Sequence, residues 1–458
     1  MRRWIAGSCL LLLLTASGGL WAAESAAAMP PDKAPIKTWV PEAAKAPASS
    51  FDVKAATDAY LAEIPADRRA SSDAYFEGGY WLMLWEFLYG GAVMLLLLAT
   101  GLSARMRDGA ERVTRFKPIQ TFLYFLQFTL VVTVLEFPLT VYEGFFREHQ
   151  YGLATQTFGP WMGDFGKALL VSILFGGPLV MLLVGIVRRL ERSWWIWGAT
   201  ATVAAFAVLQ IIGPVFISPL FNTYKKLEDP KVRESILSLA RANGIPATEV
   251  YEVDASRQTT RVSANVSGFM GTERITLNDN LLRRCSPAEI QAVMGHEMGH
   301  YVLNHGYKLA TYLGLIVVLG FAWLNWSLNQ SLARWGAKWK LRGLTDVAAI
   351  PLAVFLFSIY GFVMTPAINT VVRVHEFEAD MYGLNAAREP DGEAEVDLKL
   401  GEYRKLDPGP VEEFLFFDHP SGRTRITAAM RWKKEHLPAP APPPAPPAPP
   451  SPAAAPSH

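Results

Sequence analysis

The sequence predicts a mainly α-helical membrane protein, a multi-span helical bundle with an α+β domain inserted between its spans. Three observations carry that prediction. Of 458 residues, 51% are hydrophobic, and these gather in six long runs: 80–102, 119–140, 168–187, 194–216, 309–328 and 348–368. Each run is close to the ~20 residues that cross the hydrocarbon of a bilayer. Between the fourth and fifth runs lies a polar stretch, 222–308, in which helical and strand patterns alternate. The formal net charge of +1 says nothing about nucleic acid, and no basic stripe suggests it, so no nucleic-acid partner is expected.

The elements follow in order. Met1-Arg2-Arg3, the apolar Leu10 to Leu14 and the small residues Ala22-Ala23 have the form of a secretory signal or an uncleaved anchor over 1–23. Cys9 precedes the apolar run, which argues against lipoprotein attachment there. With Cys285 the only other cysteine, an intrachain disulfide is not expected. Residues 24–79 read as a polar extracytoplasmic leader with a short helix near 52–61. Four spans are expected in 80–221. The insert 222–308 then shows a helix over 230–243, closed by Asn243-Gly244, and a short strand at 250–253. A β-hairpin is predicted from strands at 259–269 and 274–277 around Met270-Gly271-Thr272-Glu273. Two more spans fill 309–370, and residues 371–437 return to the inserted domain. Residues 438–458 are nearly all proline and alanine, a composition that buries no core and reads as a disordered, extended tail.

Loop charge orients the bundle. One set of loops carries Arg105, Arg107, Arg112, Arg115 and Lys117, then Arg188, Arg189 and Arg192, then Arg334, Lys338, Lys340 and Arg342. The opposite short loop, 142–166, bears Arg147 against Glu143, Glu148 and Asp164. The basic set is expected in the cytoplasm of a bacterium. The insert, residue 376 and the C-terminus then face the periplasm, from the inner membrane.

The chemistry is concentrated at His296-Glu297-Met298-Gly299-His300, an H-E-x-x-H pattern. Residues four apart on a helix lie about 40° apart around its axis and one turn apart along it, so both imidazoles reach one metal. The glutamate beside the first ligand is then placed as a general base. Ser286-Pro287-Ala288-Glu289 is a capping box with proline at the first helical position, and Ile290, Val293, Met294 and Met298 form an apolar stripe. A catalytic zinc takes a third protein ligand and leaves one position open. His305 is close in sequence, but nine steps along a continuing helix put it near the opposite face. Glu376, just past the sixth span, is the better candidate and gives a His2Glu site for one Zn2+ per chain. Asp380, one turn on, is placed to orient a ligand histidine. His375 competes with Glu376 but lies about 100° round the helix from it.

These residues resemble the type I CAAX prenyl endopeptidase family of integral-membrane zinc metallopeptidases. The family carries H-E-x-x-H and, after an arginine, E-x-x-A-D, matched by Arg373 and Glu376-Phe377-Glu378-Ala379-Asp380. Tyr151-Gly152-Leu153, Gln156-Thr157-Phe158, Trp161 and Asp164 are similar to its membrane region. Pro219-Leu220-Phe221-Asn222 and Leu227-Glu228-Asp229 are similar to its entry to the peptidase domain, and His419-Pro420 with Arg425 to its C-terminal motif. The resemblance implies a gluzincin-like peptidase domain and spans that enclose a chamber, which the polar Glu86, Gln127 and Glu136 within spans would suit. It implies His419 as a stabiliser of the oxyanion and Arg425 as a support of the C-terminal segment. The family has an Asn-Ala pair on the strand beside its cleft; Ser263 and Ala264 stand there, offering backbone to an extended substrate.

The function expected is a zinc metalloendopeptidase. Zinc polarises the scissile carbonyl and acidifies water, and Glu297 moves the proton. The substrates expected are membrane-associated or exported polypeptides rather than prenylated proteins, since a periplasmic site would meet few of those. The alternative is a non-catalytic membrane scaffold with a structural zinc and a partner-binding proline-rich tail.

Overall fold

The computed structural model describes residues 39–267 and 274–436. The signal-like segment, the hairpin turn at 270–273 and the proline-rich tail lie outside the described residues. Among the described residues six helices are long and apolar enough to cross a membrane: Ala66–Ala99, Lys117–Gln150, Phe158–Arg189, Trp194–Leu220, His305–Trp335 and Val347–Ala387; five contain a predicted span whole, and the first holds 80–102 up to Ala99.

In chain order, α1 is Val53–Ala62, capped by Asp52, whose carboxylate accepts from the amides of Lys54 and Ala55. The first span, α2, is Ala66–Ala99. It starts well before residue 80, so the predicted polar leader is a correction: its last 14 residues, 66–79, are the start of the 34-residue helix that carries the first span. Alternation of polar and aromatic residues over 66–79 hid the helix, because these residues face the peptidase part rather than lipid. Gly101, at φ 68°, breaks the chain between α2 and the amphipathic α3, Leu102–Val113. Then come α4 (Lys117–Gln150, with a wider turn at Tyr142–Arg147), α5 (Phe158–Arg189) and α6 (Trp194–Ile212).

The insert supplies β1 (Tyr224–Lys226), α7 (Pro230–Ala242), β2 (Val250–Val253), β3 (Ala264–Ser267), β4 (Arg274–Asn278) and α8 (Asp279–Arg284). The predicted strand 259–269 is shortened at its start, where residues 259–263 hydrogen-bond to the segment 152–155 and to Asn278 and Asn280 instead. The sheet order is β1-β2-β4-β3, with β2 parallel to β4 and the other two pairs antiparallel. The metal-motif helix α9 is Pro287–Val302, followed by the spans α10 (His305–Trp335) and α11 (Ile350–Ala387). The chain closes with α12 (Pro390–Leu400), α13 (Pro410–Phe416) and α14 (Gly422–His436).

Two apolar cores hold the peptidase part. In one, Ile236 and Ile245 meet Ile275 and Leu277 of β4 with Met294 and Met298 of α9, all essentially inaccessible. Each such side chain contributes about 1.5–3 kcal/mol. In the other, Phe51, Tyr60 and Leu61 pack against Leu398, Ile426 and Met430. The described part of the leader, through residues 44–64, is therefore part of the peptidase core.

The three basic loops share one end of the bundle. Arg107 of α3 pairs with Asp346 at 2.6 Å and donates to the Lys340 carbonyl, Arg342 reaches Glu111 at 2.8 Å, and Arg188 donates to Thr121. The peptidase elements pack at the other end, where Ser72 donates to the Arg404 carbonyl and Tyr80 to Glu412.

Candidate metal centre

The capping box forms as predicted: the Glu289 amide donates to Ser286 Oγ at 3.3 Å and the Ser286 amide to Glu289 Oε2 at 2.5 Å. A buried Lys399 caps the arrangement, 2.6 Å from Glu289. Launched there, α9 lies directly on the end of α11. Gly295 and Gly299 face Ala379 and Gly383, a small-residue seam that allows backbone contact. A Cβ on Gly383 would fall 2.7 Å from the His296 amide nitrogen.

That contact brings three donors together. His296 Nε2 and His300 Nε2 are 3.0 Å apart; His296 Nε2 is 3.3 Å from Glu376 Oε2, and His300 Nε2 is 3.7 Å from Glu376 Oε1. Donors ~2.0–2.1 Å from one zinc at tetrahedral angles stand roughly 3.3 Å from each other, so the set fits the ion. His296, His300 and Glu376 form the only such group found among the described residues.

Behind the donors is a buried ionic chain. Asp380 Oδ1 lies 2.7 Å from His296 Nδ1, which leaves Nε2 free to ligate. Arg425 Nε donates to Asp380 at 2.8 Å, and its Nη groups reach Asp380, Glu393 at 3.2 Å and Asp397 at 2.8 Å. Burial works against the Arg425 charge, but Asp380, Asp397 and Glu393 hold its pKa well above the ordinary value. Burial also raises the Asp397 carboxyl well above the usual carboxylate range. Sequence reasoning had Arg425 but not its partners on α12, which carry no motif.

Glu297 follows the first ligand, and burial raises its carboxyl above the usual range, against the pull of His296 and His300. His419 Nε2 stands 3.2 Å from Glu376 Oε2, and its Nδ1 is 3.0 Å from Asp418. Burial, and then Arg404, push its pKa down, which favours the neutral ring. The loop carrying His419 is clamped by Arg373, which donates to the carbonyls of Glu413 and Phe417, and by Asn369, which donates to that of Leu415.

Just before β3, the Ser263 amide donates to Asn278 Oδ1 and the Ser263 carbonyl accepts from the Asn278 amide. Both main-chain groups of Ser263 are therefore spent. Antiparallel alternation turns those of Ala264 and Val266 to the free edge of the sheet. His375 is not among the converging donors: it is buried, with Nδ1 on the Val371 carbonyl. His305 is not a donor either, but the geometric reason expected for it fails. The helix does not continue: Asn304 takes φ 57° and reverses the chain, setting His305 Nδ1 2.9 Å from His300 Nδ1. The asparagine was the available signal, since it tolerates the left-handed conformation.

A bundle of spanning helices whose extensions present an H-E-x-x-H helix to a glutamate and a supporting aspartate defines a membrane-embedded metalloendopeptidase. Residues 226–433 match the model of peptidase family M48, and residues 54–223 that of the CAAX prenyl protease N-terminal region with five membrane helices. The chain belongs to peptidase family M48, and membership implies a metal. It is 32% identical over 349 residues to the uncharacterized metalloprotease YhfN of Bacillus subtilis, covering 76% of this chain and 81% of that one. It is 27% identical over 313 residues to CAAX prenyl protease 1 of Saccharomyces cerevisiae, covering 65% and 69%. The crystal structure of S. mikatae Ste24p shares its fold, with a TM-score of 0.68 at 23% identity over 80% of this chain and 89% of that one. The non-catalytic scaffold has no support in these likenesses.

Proposed function

We propose that the protein is a zinc endopeptidase of a bacterial inner membrane, hydrolysing membrane-associated or exported polypeptides on the periplasmic side. The convergence of His296, His300 and Glu376 carries the reading, since three donors at these separations fit one zinc and leave a position open. When bound, the metal supplies Lewis acidity toward the scissile carbonyl and toward water.

The residues do the rest. His296, held by Asp380, and His300 present their Nε2 atoms, and Glu376 completes the donor set. Glu297 takes a proton from the attacking water and delivers it to the leaving amine. Its raised pKa suits the delivery as well as the uptake. His419, kept near the site by the Arg373 clamp, is placed to donate a hydrogen bond from Nε2 to the developing oxyanion when that nitrogen carries a proton. The free edge of β3 at Ala264 and Val266 offers backbone groups that hold an extended substrate as an added strand.

The measured test is zinc stoichiometry with peptide cleavage by wild type and Glu297→Ala. Loss of turnover by about 10²-fold or more with zinc retained is expected; equal, chelator-insensitive turnover in both would sink the reading. The periplasmic side is supported by the gathering of the basic loops at the end opposite the site. A periplasm-active reporter fused after Arg431 should be active, and a silent one would reverse the topology.

A further inference from the structure

We propose that His305 and Glu378 form a hydrogen-bonded relay that fixes the ring of His300 and strengthens its hold on the metal. The proposal rests on the zinc reading above. His296 has an evident support in Asp380, whereas no carboxylate or carbonyl contacts Nδ1 of His300 among the described residues. Its Nδ1 instead meets Nδ1 of His305 at 2.9 Å, and Nε2 of His305 meets Glu378 Oε2 at 3.1 Å.

The tautomers close into one consistent chain. A ligand His300 uses its Nε2 lone pair, so its Nδ1 carries the proton and donates. His305 must then accept at Nδ1 and carry its own proton on Nε2, which donates to Glu378. Each ring thereby has one allowed tautomer, and each hydrogen bond has one direction. Lys308, 2.9 Å from the same Glu378 oxygen, holds the far end of the relay.

The backbone is shaped for this contact. Asn304, in the left-handed region, ends the motif helix and starts α10, turning His305 back on the turn that holds His300. His305 is only 1% exposed, and its ring packs edge-on against that of His375 with centroids 4.8 Å apart. Glu378 comes from α11, two residues beyond Glu376, so the helix that gives the carboxylate donor also positions a histidine donor. The two histidines are thus held differently: His296 by a buried carboxylate tied to Arg425, His300 by a second imidazole and a half-exposed carboxylate. His305 and Glu378 act as positioning residues, through His300.

The test uses full-length, zinc-loaded protein in detergent and reads zinc release to a chelator, with visible absorption of the Co2+-substituted protein as a second signal. His305→Phe keeps the ring volume and removes both nitrogens. It should release zinc about ten- to a hundredfold faster and change the Co2+ bands. His305→Gln, which can accept and donate along the same line, should recover part of the loss. Glu378→Gln, on the protein surface, folds independently of the core packing and should speed release several-fold. Wild-type release rates and Co2+ bands in both His305→Phe and Glu378→Gln would overturn the relay while leaving the metallopeptidase intact. If His305→Phe does not fold, Glu378→Gln decides alone. A wild type that binds no zinc would instead overturn the reading of the site itself.

Discussion

Gly383→Ala tests the seam between α9 and α11 most directly. The added Cβ would sit 2.7 Å from the His296 amide nitrogen and 3.1 Å from both the His296 Cα and the Gly295 carbonyl carbon. All three are backbone atoms, so no side chain can swing aside. Restoring ordinary contact at roughly 3.5 Å requires the helices to part by about 0.8 Å, and overpacking of this kind costs about 1–3 kcal/mol. The functional effect should be larger than the loss of stability. The donors stand on opposite sides of the seam, with His296 and His300 on α9 and Glu376 on α11, and metal–ligand distances tolerate only about ±0.2 Å. A misplacement near 1 Å is worth about 10²-fold in rate. The assay pairs zinc affinity and peptide turnover with thermal unfolding of the metal-free protein. Gly383→Ala should unfold several degrees lower and lose at least tenfold in zinc affinity. Full affinity and turnover in a folded Gly383→Ala protein would refute the claim that backbone contact at this seam sets the site.

Two further predictions concern buried groups. Arg425→Met leaves Asp380, Glu393 and Asp397 without their shared cation, and breaking a buried charge network from one side costs about 3–5 kcal/mol; denaturation should show that loss, with Arg425→Lys recovering little of it because one ammonium cannot serve three carboxylates in a fork. Burial pushes the Cys285 thiol up to about 12, so little thiolate exists at neutral pH. An alkylating reagent should label it far more slowly in the folded protein than in the denatured one, and equal rates would contradict its placement.

Much of the architecture was legible because a bilayer imposes long apolar runs. The six spans were found from length and hydropathy, and their buried share is less than half in every case, as expected for helices that face lipid or an open interior. The start of α2 was missed for the complementary reason: over 66–79 the helix packs on the peptidase part, and its polar face resembles a leader. The hairpin strands were found in the right place, but β3 is shorter because Leu153, Asn278 and Asn280 take up the preceding backbone groups. Such partners are set by the fold and leave no local pattern.

The sequence by itself determined the spans, the capped H-E-x-x-H helix and the residue types able to hold zinc, since helical spacing and hydropathy are local properties. It also named Glu376 and Asp380 from their place just past the sixth span, and His419 and Arg425 through resemblance to a family. Only the tertiary structure decided how these meet. It showed the Gly295–Gly299 seam against Ala379 and Gly383 that sets the donor spacing, and the α12 carboxylates that neutralise Arg425. It also showed the reversal at Asn304 that returns His305 to His300. The seam joins segments far apart in the chain, as His296 and Asp380 are (84 apart), and the Arg425 partners come from another helix, Glu393 lying 32 residues away, so local spacing carries no information about either.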